Sequence, residues 1–335
     1  MRIGTWNVEY AAGKDKNDRR LRRLRDADCD IWVLTETHDE LALGPDYSSA
    51  STVQREPGRA GGRWTTIWSR SPIIKTVPVD DVHRTVAALI DSPSGPLLVY
   101  GTVLPWHADR GPGGHAAGWT EHHRLIPMHG REWAALRRLY PDAALCVAGD
   151  LNMNLGGPHY YGTVEGRALL RAAFSDAGLA CITETERIPA GLLAHGPIDH
   201  ICVSEQLSGA ARVATAWEGT DGDGVRLSDH NPIRPIGSVV QGAFRPRDAA
   251  LWGFAERQSA ALRRQALLSE RARCLPVRPP PAANAAPSAV SRHPSQFIDQ
   301  SAKSAVAPNP PVERRADPVF DLPRTGPGPD AEPDV

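Results

Sequence analysis

Two polar residues follow a buried strand near the middle of the chain, in the tetrapeptide Gly149-Asp150-Leu151-Asn152. The apolar run before them, residues 143–148, is typical of a strand covered on both faces. Because side chains alternate along an extended chain, Asp150 and Asn152 can project to the same side where that strand ends. A carboxylate there can orient or deprotonate a nucleophile, and an amide can donate to a developing negative charge. The pair therefore suits chemistry on a phosphate group.

Other apolar runs end in the same way, with residues of a type that does chemistry. The first strand is followed by Asn7, and the second is followed by Glu36. Asp199 lies within a later apolar segment, and the pair Asp229-His230 stands shortly before a proline. Each residue alone has an ordinary interpretation as a turn residue, a cap or a solvated charge. Their joint occurrence in this order favours a single functional site.

Six motifs in this order resemble the endonuclease/exonuclease/phosphatase superfamily of DNase I-like nucleases, abasic-site endonucleases, inositol-phosphate phosphatases and neutral sphingomyelinases. The resemblance runs from residue 1 to about residue 236, and the motifs are Thr5-Trp6-Asn7-Val8, Leu34-Thr35-Glu36-Thr37, Ile67-Trp68-Ser69-Arg70-Ser71-Pro72-Ile73, Gly149-Asp150-Leu151-Asn152, Ile198-Asp199-His200-Ile201 and Ser228-Asp229-His230-Asn231-Pro232. It implies a divalent-metal-dependent hydrolase of phosphate esters, foremost a phosphodiesterase or nuclease. The alternatives are a phosphomonoesterase, a lipid phosphodiesterase, or a non-catalytic member that serves as a binding module.

The resemblance also implies a metal site. Glu36, with Asn7 nearby, corresponds to the main site of a divalent cation, and Asp229 lies close by. Oxygen ligands supplied by few protein groups suit Mg²⁺, which keeps several water ligands and takes a substrate oxygen. The same ligands accept Mn²⁺. Whether one metal ion or two take part stays open at this point.

The remaining polar residues correspond to the catalytic groups of the family. Asp150 corresponds to the residue that orients or deprotonates the attacking water, and Asn152 to a donor that stabilises the transition state. His230 corresponds to the histidine that contacts the scissile phosphate, with Asp199 as its orienting carboxylate. A carboxylate on one imidazole nitrogen fixes the tautomer and favours the charged ring, which stabilises negative charge on phosphorus oxygens.

One position departs from the family pattern. Many members carry a tyrosine or histidine after the central strand, and alignment places Val103 there. Either that role is absent, or His107, four residues later, supplies it; the competing interpretation of His107 is a surface-loop histidine. Its neighbour Trp106 is either a stacking platform for a base or sugar, or part of the loop packing.

The organisation of the chain predicts one α/β domain with two appendages. The 335 residues are 41% hydrophobic, and residues 1–240 mix hairpin-like neighbours with strand–helix–strand units, which favours a four-layer α/β sandwich of two mixed β-sheets flanked by helices. Residues 241–275 are predicted to contain an appended helix. Residues 276–335 hold about half of the 30 prolines and are predicted to be a disordered tail, available for partner binding. Strands are predicted at residues 2–8, 31–35, 65–69, 85–91, 96–102, 143–149, 198–203 and 210–217, and helices at 17–27, 121–139 and 166–177.

Charge and cysteine content narrow the function classes further. Acidic residues outnumber basic ones over residues 1–240, a mild argument against non-specific nucleic-acid binding. The basic run at residues 19–25 is predicted to be the solvated outer face of a helix. The five cysteines lack zinc-like spacing, which favours buried thiols in a reducing compartment. With no leader or membrane span in the pattern, a cytoplasmic protein without membrane insertion is expected. Substrate identity and oligomeric state stay open.

Overall fold

The computed structural model describes residues 1–11, 13–55 and 58–236. The predicted appended helix at 241–275 and the predicted tail at 276–335 lie outside the described residues. The strands are β1 Ile3–Asn7, β2 Ile31–His38, β3 Ser48–Ser51, β4 Gly62–Ser69, β5 Ile73–Val77, β6 Thr85–Ser92, β7 Gly95–Val103, β8 Ala144–Asp150, β9 Leu179–Cys181, β10 Asp199–Ser204, β11 Arg212–Ala216 and β12 Ile233–Ile236. The helices are α1 Lys14–Ala27, α2 Thr120–Leu139, α3 Val164–Asp176 and α4 Glu205–Ser208, with 3-10 turns at Glu9–Ala11 and Thr185–Arg187.

The strands form two mixed sheets with the same internal plan. Sheet A has the order β11-β12-β1-β2-β4-β3, and sheet B has the order β5-β6-β7-β8-β10-β9. Each sheet contains a single parallel pair at its centre, β1 with β2 in sheet A and β7 with β8 in sheet B. All the other pairs are antiparallel. This arrangement confirms the predicted pair of mixed sheets.

Alternation along the central strands explains why the two sheets stack. On β7, Leu97 and Val99 pack into the core between the sheets, whereas Leu98 and Tyr100 face helices α2 and α3. Burying a large apolar side chain stabilises the fold by about 1.5–3 kcal/mol, so a strand apolar on both faces strongly favours a layer on each side. Helix α1 covers the outer face of sheet A, where Leu24 packs in one core cluster with Trp6 and Trp32. The four-layer α/β sandwich is therefore confirmed.

Four strands were not predicted, namely β3, β5, β9 and β12. Three of them, β3, β5 and β9, are edge strands, and β12 inserts between β11 and β1. The sequence of β3 is Ser-Ser-Ala-Ser, which has little intrinsic strand preference. Such segments are extended because a neighbouring strand satisfies their backbone groups, and no local pattern reports that pairing. All eight predicted strands and three predicted helices are present, with boundaries shifted by a few residues.

A buried polar network lies between β7 and α2. The Tyr100 hydroxyl donates to the Oε2 atom of Glu132 at 2.5 Å and lies 2.6 Å from Nδ1 of His129. The backbone N–H of Asp80 donates to Glu132 Oε1 at 2.7 Å. Burial raises the pKa of Glu132 to about 7 and lowers the pKa of His129 to about 4. The network therefore couples the stability of this core to pH.

None of the helices in the described part of the chain combines the length and the apolar character that a membrane crossing requires. Four cysteines, Cys29, Cys146, Cys181 and Cys202, are buried and free. The prediction of buried thiols is confirmed for these four.

Candidate active site

Strand ends from both sheets meet at one edge of the sandwich. Sheet A supplies Asn7 at the end of β1 and Glu36 near the end of β2. Sheet B supplies Asp150 as the last residue of β8 and Asp199 as the first residue of β10, and these two are register partners. His230 comes from the segment between β11 and β12. Side chains from five places in the sequence are thus brought together.

Glycine at position 149 is required where β8 delivers its carboxylate. Gly149 has a φ of 133°, in the region that side chains disfavour, and a Cβ there would overlap the carbonyl oxygen of Thr102 on β7. The close approach of β7 and β8 therefore depends on glycine. One residue later, Asp150 pairs with Val103 on β7, which is buried and offers no polar group. At this register position β7 therefore offers Asp150 an apolar neighbour.

Hydrogen bonds to the end of β1 hold the segment that carries His230. The Ser228 hydroxyl donates to the carbonyl of Asn7 at 2.6 Å and accepts from the backbone N–H of His230 at 3.0 Å. The indole N–H of Trp6 donates to the His230 carbonyl at 3.2 Å. Ser228 is therefore a structural link between sheet A and the histidine, a role for which the sequence offered only its place in the Ser-Asp-His motif.

The prediction of a solvated basic face on α1 is wrong for Arg20. This side chain is 1% exposed, and its Nε and Nη2 atoms donate to the carbonyl of Leu227 at 2.9 and 2.6 Å. Its Nη1 atom donates to Oδ1 of Asn17. An arginine on the inner face is stable because the guanidinium finds fixed acceptors there. Arg20 consequently anchors the chain one residue before Ser228.

Asp199 and His230 form a short, buried hydrogen-bonded pair. The Oδ2 atom of Asp199 accepts from Nδ1 of His230 at 2.6 Å, and the other nitrogen, Nε2, lies 3.9 Å from Asp150 Oδ2. Burial alone would lower the pKa of His230, but the charges of Asp199 and Asp150 outweigh it and raise that pKa well above the ordinary value. The ring is therefore positively charged at neutral pH. The proton on Nε2 is available to be donated to an anion, because the 3.9 Å between Nε2 and Asp150 Oδ2 is too long for a hydrogen bond.

The Asn7 amide connects the carboxylates of the two sheets. Its Nδ2 atom donates to Oε1 of Glu36 at 3.2 Å and to Oδ2 of Asp150 at 3.0 Å. Burial raises the pKa of both acids, and the charge of His230 opposes this shift for each of them. Glu36 also has a φ of 50°, a conformation that costs energy for a side-chain-bearing residue and is found preferentially at functional sites.

The donor set of this edge fits a divalent cation. The carboxylates of Glu36, Asp150 and Asp199 are largely buried, and Oδ1 of Asp199 has no hydrogen-bond partner in the described part of the chain. Buried carboxylate oxygens are costly unless a cation or donor compensates them, and hard oxygen ligands are those that Mg²⁺ and Mn²⁺ prefer. Ligand atoms of Asp150, Asp199 and His230 lie within 4.8 Å of one another. Because Nδ1 of His230 is already hydrogen-bonded to Asp199, however, the carboxylate of Glu36 is more available as a metal ligand.

Asn152 is held by contacts on both ends of its amide. Nδ2 donates to the Leu104 carbonyl at 2.9 Å, and Oδ1 accepts from the Tyr161 hydroxyl at 3.2 Å. The backbone has a φ of 49°, and the backbone N–H donates to Oδ1 of Asp150 at 2.9 Å. One Nδ2 hydrogen is left to donate elsewhere. Tyr161 was not predicted as a site residue, because an aromatic loop residue has many structural uses.

The two other predicted residues lie further out. His107 is exposed, and its ring contacts Trp106 and Trp119 at centroid distances of 5.7 and 6.0 Å. Within the described residues no hydrogen bond joins His107 to the carboxylates, and its catalytic role stays a prediction. Asp229 has a 55% exposed side chain that lies 3.6 Å from the guanidinium of Arg226. Its metal role likewise stays a prediction.

Comparison with known proteins agrees with the geometry. A sequence model described as the endonuclease/exonuclease/phosphatase family matches residues 4–230. The chain belongs to this family. An AP endonuclease from Archaeoglobus fulgidus shares the fold of this family member, with a TM-score of 0.51 and 15% identity over 71% of this chain and 99% of that one. No curated protein matches the sequence.

Two other solved structures show the same fold. A 3′-5′ exonuclease from Neisseria meningitidis has a TM-score of 0.51 and 17% identity, covering 71% of this family member and 99% of its own chain. A 3′ phosphatase from Neisseria, bound to a product DNA hairpin, has a TM-score of 0.52 and 17% identity with the same coverage of both chains. At these identities the likeness establishes the fold of this family member and leaves its substrate undetermined.

Proposed function

We propose that the protein is a divalent-metal-dependent phosphodiesterase of the nuclease type. The observation that carries this proposal is the Asp199–His230 pair at 2.6 Å, placed 3.9 Å from a buried Asp150. A charged imidazole beside a carboxylate whose pKa is raised provides both an anion-stabilising donor and a proton acceptor. Its structural relative bound to a DNA hairpin supports nucleic acid as the substrate.

In the proposed reaction, water cleaves a phosphodiester into a phosphomonoester and an alcohol. Asp150 orients the water and accepts one of its protons, while the side-chain amide of Asn7 donates a hydrogen bond that holds the Asp150 carboxylate in place. His230 donates from Nε2 to a non-bridging phosphate oxygen as negative charge grows in the transition state. The free hydrogen on Nδ2 of Asn152 donates to the same group. Asp199 keeps the imidazole ring of His230 charged and fixes its orientation.

The proposed metal ligand is the carboxylate of Glu36, with Asn7 and Asp229 beside it. A bound Mg²⁺ or Mn²⁺ would polarise the phosphate and stabilise the leaving oxygen. Glu36 is suited to this role because burial still raises its pKa although Arg55, at 3.7 Å, and His230 partly balance its charge.

The proposal is tested with one panel of substrates, with and without EDTA, and with Mg²⁺ or Mn²⁺ restored. The substrates are plasmid DNA, a duplex with an abasic site, inositol phosphates and sphingomyelin. We expect EDTA-sensitive cleavage of a nucleic acid by the wild type and a loss of at least about 100-fold in Asp150→Asn. Salt should inhibit cleavage steeply if phosphate contacts dominate binding.

A matched control is Asp142→Asn. Asp142 is an exposed carboxylate just before β8, at the end of the strand opposite Asp150. We expect this variant to keep full activity. Turnover of inositol phosphates or sphingomyelin alone would replace the proposed substrate class. Absence of metal-dependent turnover throughout, with the fold intact, would favour a non-catalytic binding member.

A further inference from the structure

Arg55 contacts two aromatic rings at the border of the site. The centre of its guanidinium lies 3.7 Å from the ring centroid of Trp64 and 4.4 Å from that of Tyr10. Both contacts fall within the range of favourable cation–π interactions. The side chain is only 20% exposed. A long, flexible side chain is thereby fixed in one position before any ligand binds, which lowers the entropy lost on binding.

The Glu36 carboxylate separates Arg55 from the catalytic groups. Oε1 of Glu36 faces Asn7, which in turn bonds Asp150, whereas Oε2 faces Nη1 of Arg55. Arg55 therefore faces the Glu36 oxygen that is not bonded to Asn7. A phosphate attacked by water near Asp150 would not be the group nearest to Arg55.

The guanidinium has donors left to use. Its Nη2 atom bonds the Tyr10 hydroxyl at 3.3 Å, while its Nη1 atom is buried and lacks a hydrogen-bond partner within the described residues. The N–H groups of a guanidinium point outward along the edge of its plane. That edge is where guanidinium groups bind phosphate oxygens in pairs. Arg226, by contrast, is already bonded to Glu9.

We propose that Arg55 binds a second phosphate of the substrate, next to the scissile one along the chain. The inference rests on the proposed function and deepens it: the preferred substrate carries at least two neighbouring phosphates, as a nucleic-acid strand does. The conformation of Tyr10 supports a functional role for its contact with Arg55, since its φ of 62° is costly for a residue with a side chain. Tyr10 is 50% exposed and forms the outer wall beside Arg55.

The test compares substrates that differ by a single phosphate. Thymidine 5′-(4-nitrophenyl phosphate) carries one, and its 3′-phosphorylated form carries two; the isomers with 3′ and 5′ exchanged cover the other direction. At saturating Mg²⁺, we expect kcat/KM of the wild type to be about 10- to 100-fold higher for one of the two-phosphate compounds. Arg55→Gln should abolish that preference, so that kcat/KM becomes equal for the one- and two-phosphate compounds. Arg55→Lys should keep part of it.

Arg59→Gln is the matched control, because Arg59 lies on the same loop, is half-exposed and bonds Glu40 instead. It should retain the preference. Equal losses on one- and two-phosphate compounds would mean that Arg55 only supports Glu36, and would overturn the inference while the proposed function stands.

Binding separates the two proposals further. In the Asp150→Asn background, calorimetry should show that thymidine 3′,5′-bisphosphate binds more tightly than thymidine monophosphate only when Arg55 is present. If the bisphosphate binds more tightly in this way but the wild type cleaves none of the substrates, the proposed function is refuted and the second-phosphate site stands. Equal binding with and without Arg55 would overturn the site.

Discussion

Replacing Asp199 by asparagine removes one negative charge and keeps the shape of the side chain. The new carbonyl oxygen can still accept from Nδ1 of His230, and the new amide hydrogens occupy the place of Oδ1, which has no partner in the described residues. The tautomer of His230 is therefore retained. What is lost is the charge that raises the pKa of the ring.

The size of the effect follows from that pKa. Without Asp199, the lowering by burial is opposed by the charges of Asp150 and Asp229 alone among the causes named above, so the pKa of His230 should fall well below its wild-type value. For a ring with the ordinary imidazole pKa of about 6.5, about 3% would carry the charge at pH 8, a loss of about 30-fold. At pH 6 most rings remain charged. The weaker hydrogen bond adds about 1–2 kcal/mol, or roughly 5- to 30-fold, at every pH.

The assay is kcat against pH from 5.5 to 9.5 with bis(4-nitrophenyl) phosphate at saturating Mg²⁺. In the wild type, the alkaline limb should lie well above neutral pH, since activity is lost only when His230 loses its raised-pKa proton. In Asp199→Asn the limb should move to near neutral pH, so that the defect grows about 25-fold between pH 6 and pH 8. A uniform loss across all pH values would refute the reasoning, and Asp142→Asn should follow the wild-type profile.

Three further predictions concern orientation, metal binding and stability. Tyr161→Phe should lower kcat about 3- to 10-fold with KM unchanged in steady-state kinetics, because the amide of Asn152 loses a hydrogen bond worth about 0.5–1.5 kcal/mol. Glu36→Gln should raise the Mg²⁺ concentration for half-maximal activity at least about 10-fold in a Mg²⁺ titration, because a ligand charge is lost. Burial raises the pKa of Glu132 to about 7, so the folded protein holds a proton that the unfolded chain releases near pH 4.5. Glu132 therefore lowers the free energy of unfolding by up to about 3 kcal/mol as the pH rises from 4.5 through 7, whereas His129, whose pKa is lowered to about 4, raises it over much of the same range. In urea unfolding, the stability of the wild type should therefore fall relative to that of Glu132→Gln between pH 4.5 and pH 7.

Each of these changes has a control and a contrary result. Tyr160→Phe removes a neighbouring hydroxyl that bonds the Gly196 carbonyl, so it should leave kcat unchanged; equal losses in both tyrosine variants would point to loop packing. An unchanged Mg²⁺ requirement in Glu36→Gln would rule out that residue as the ligand. For stability, Glu205→Gln replaces an exposed carboxylate and should keep the pH dependence of the wild type. If the free energy of unfolding depended on pH identically in Glu132→Gln and in the wild type, the raised pKa of Glu132 would be contradicted.

Local sequence patterns predicted much of the framework for a physical reason. A central strand such as β8 is apolar on both faces, and a polar residue at its end interrupts that run, so Asp150 stands out without any knowledge of its neighbours. The resemblance then paired Asp199 with His230, and their 2.6 Å contact agrees with that pairing. Helix α1 was predicted to be amphipathic because leucines recur three residues apart within its basic run.

Residues that act through long-range contacts were beyond the reach of local patterns. Arg20 looks like the other arginines of its run, and only the fold places it against the carbonyl of Leu227. Arg55 stands in a polar loop, and its two ring partners lie 45 and 9 residues away in the chain. Tyr161 contacts Asn152 because the loop after β8 folds back on itself. No periodicity records such contacts.

The sequence alone therefore determined the α/β class, the order of the strand-end acids and the family resemblance, since each depends on residue types that are close together in the chain. The tertiary structure decided which groups meet. It brought Asn7 and Glu36 from one sheet against Asp150 and Asp199 from the other, and it turned Arg55 toward the outer oxygen of Glu36. Charge, burial and distance act between residues far apart in sequence, and only folding sets those quantities.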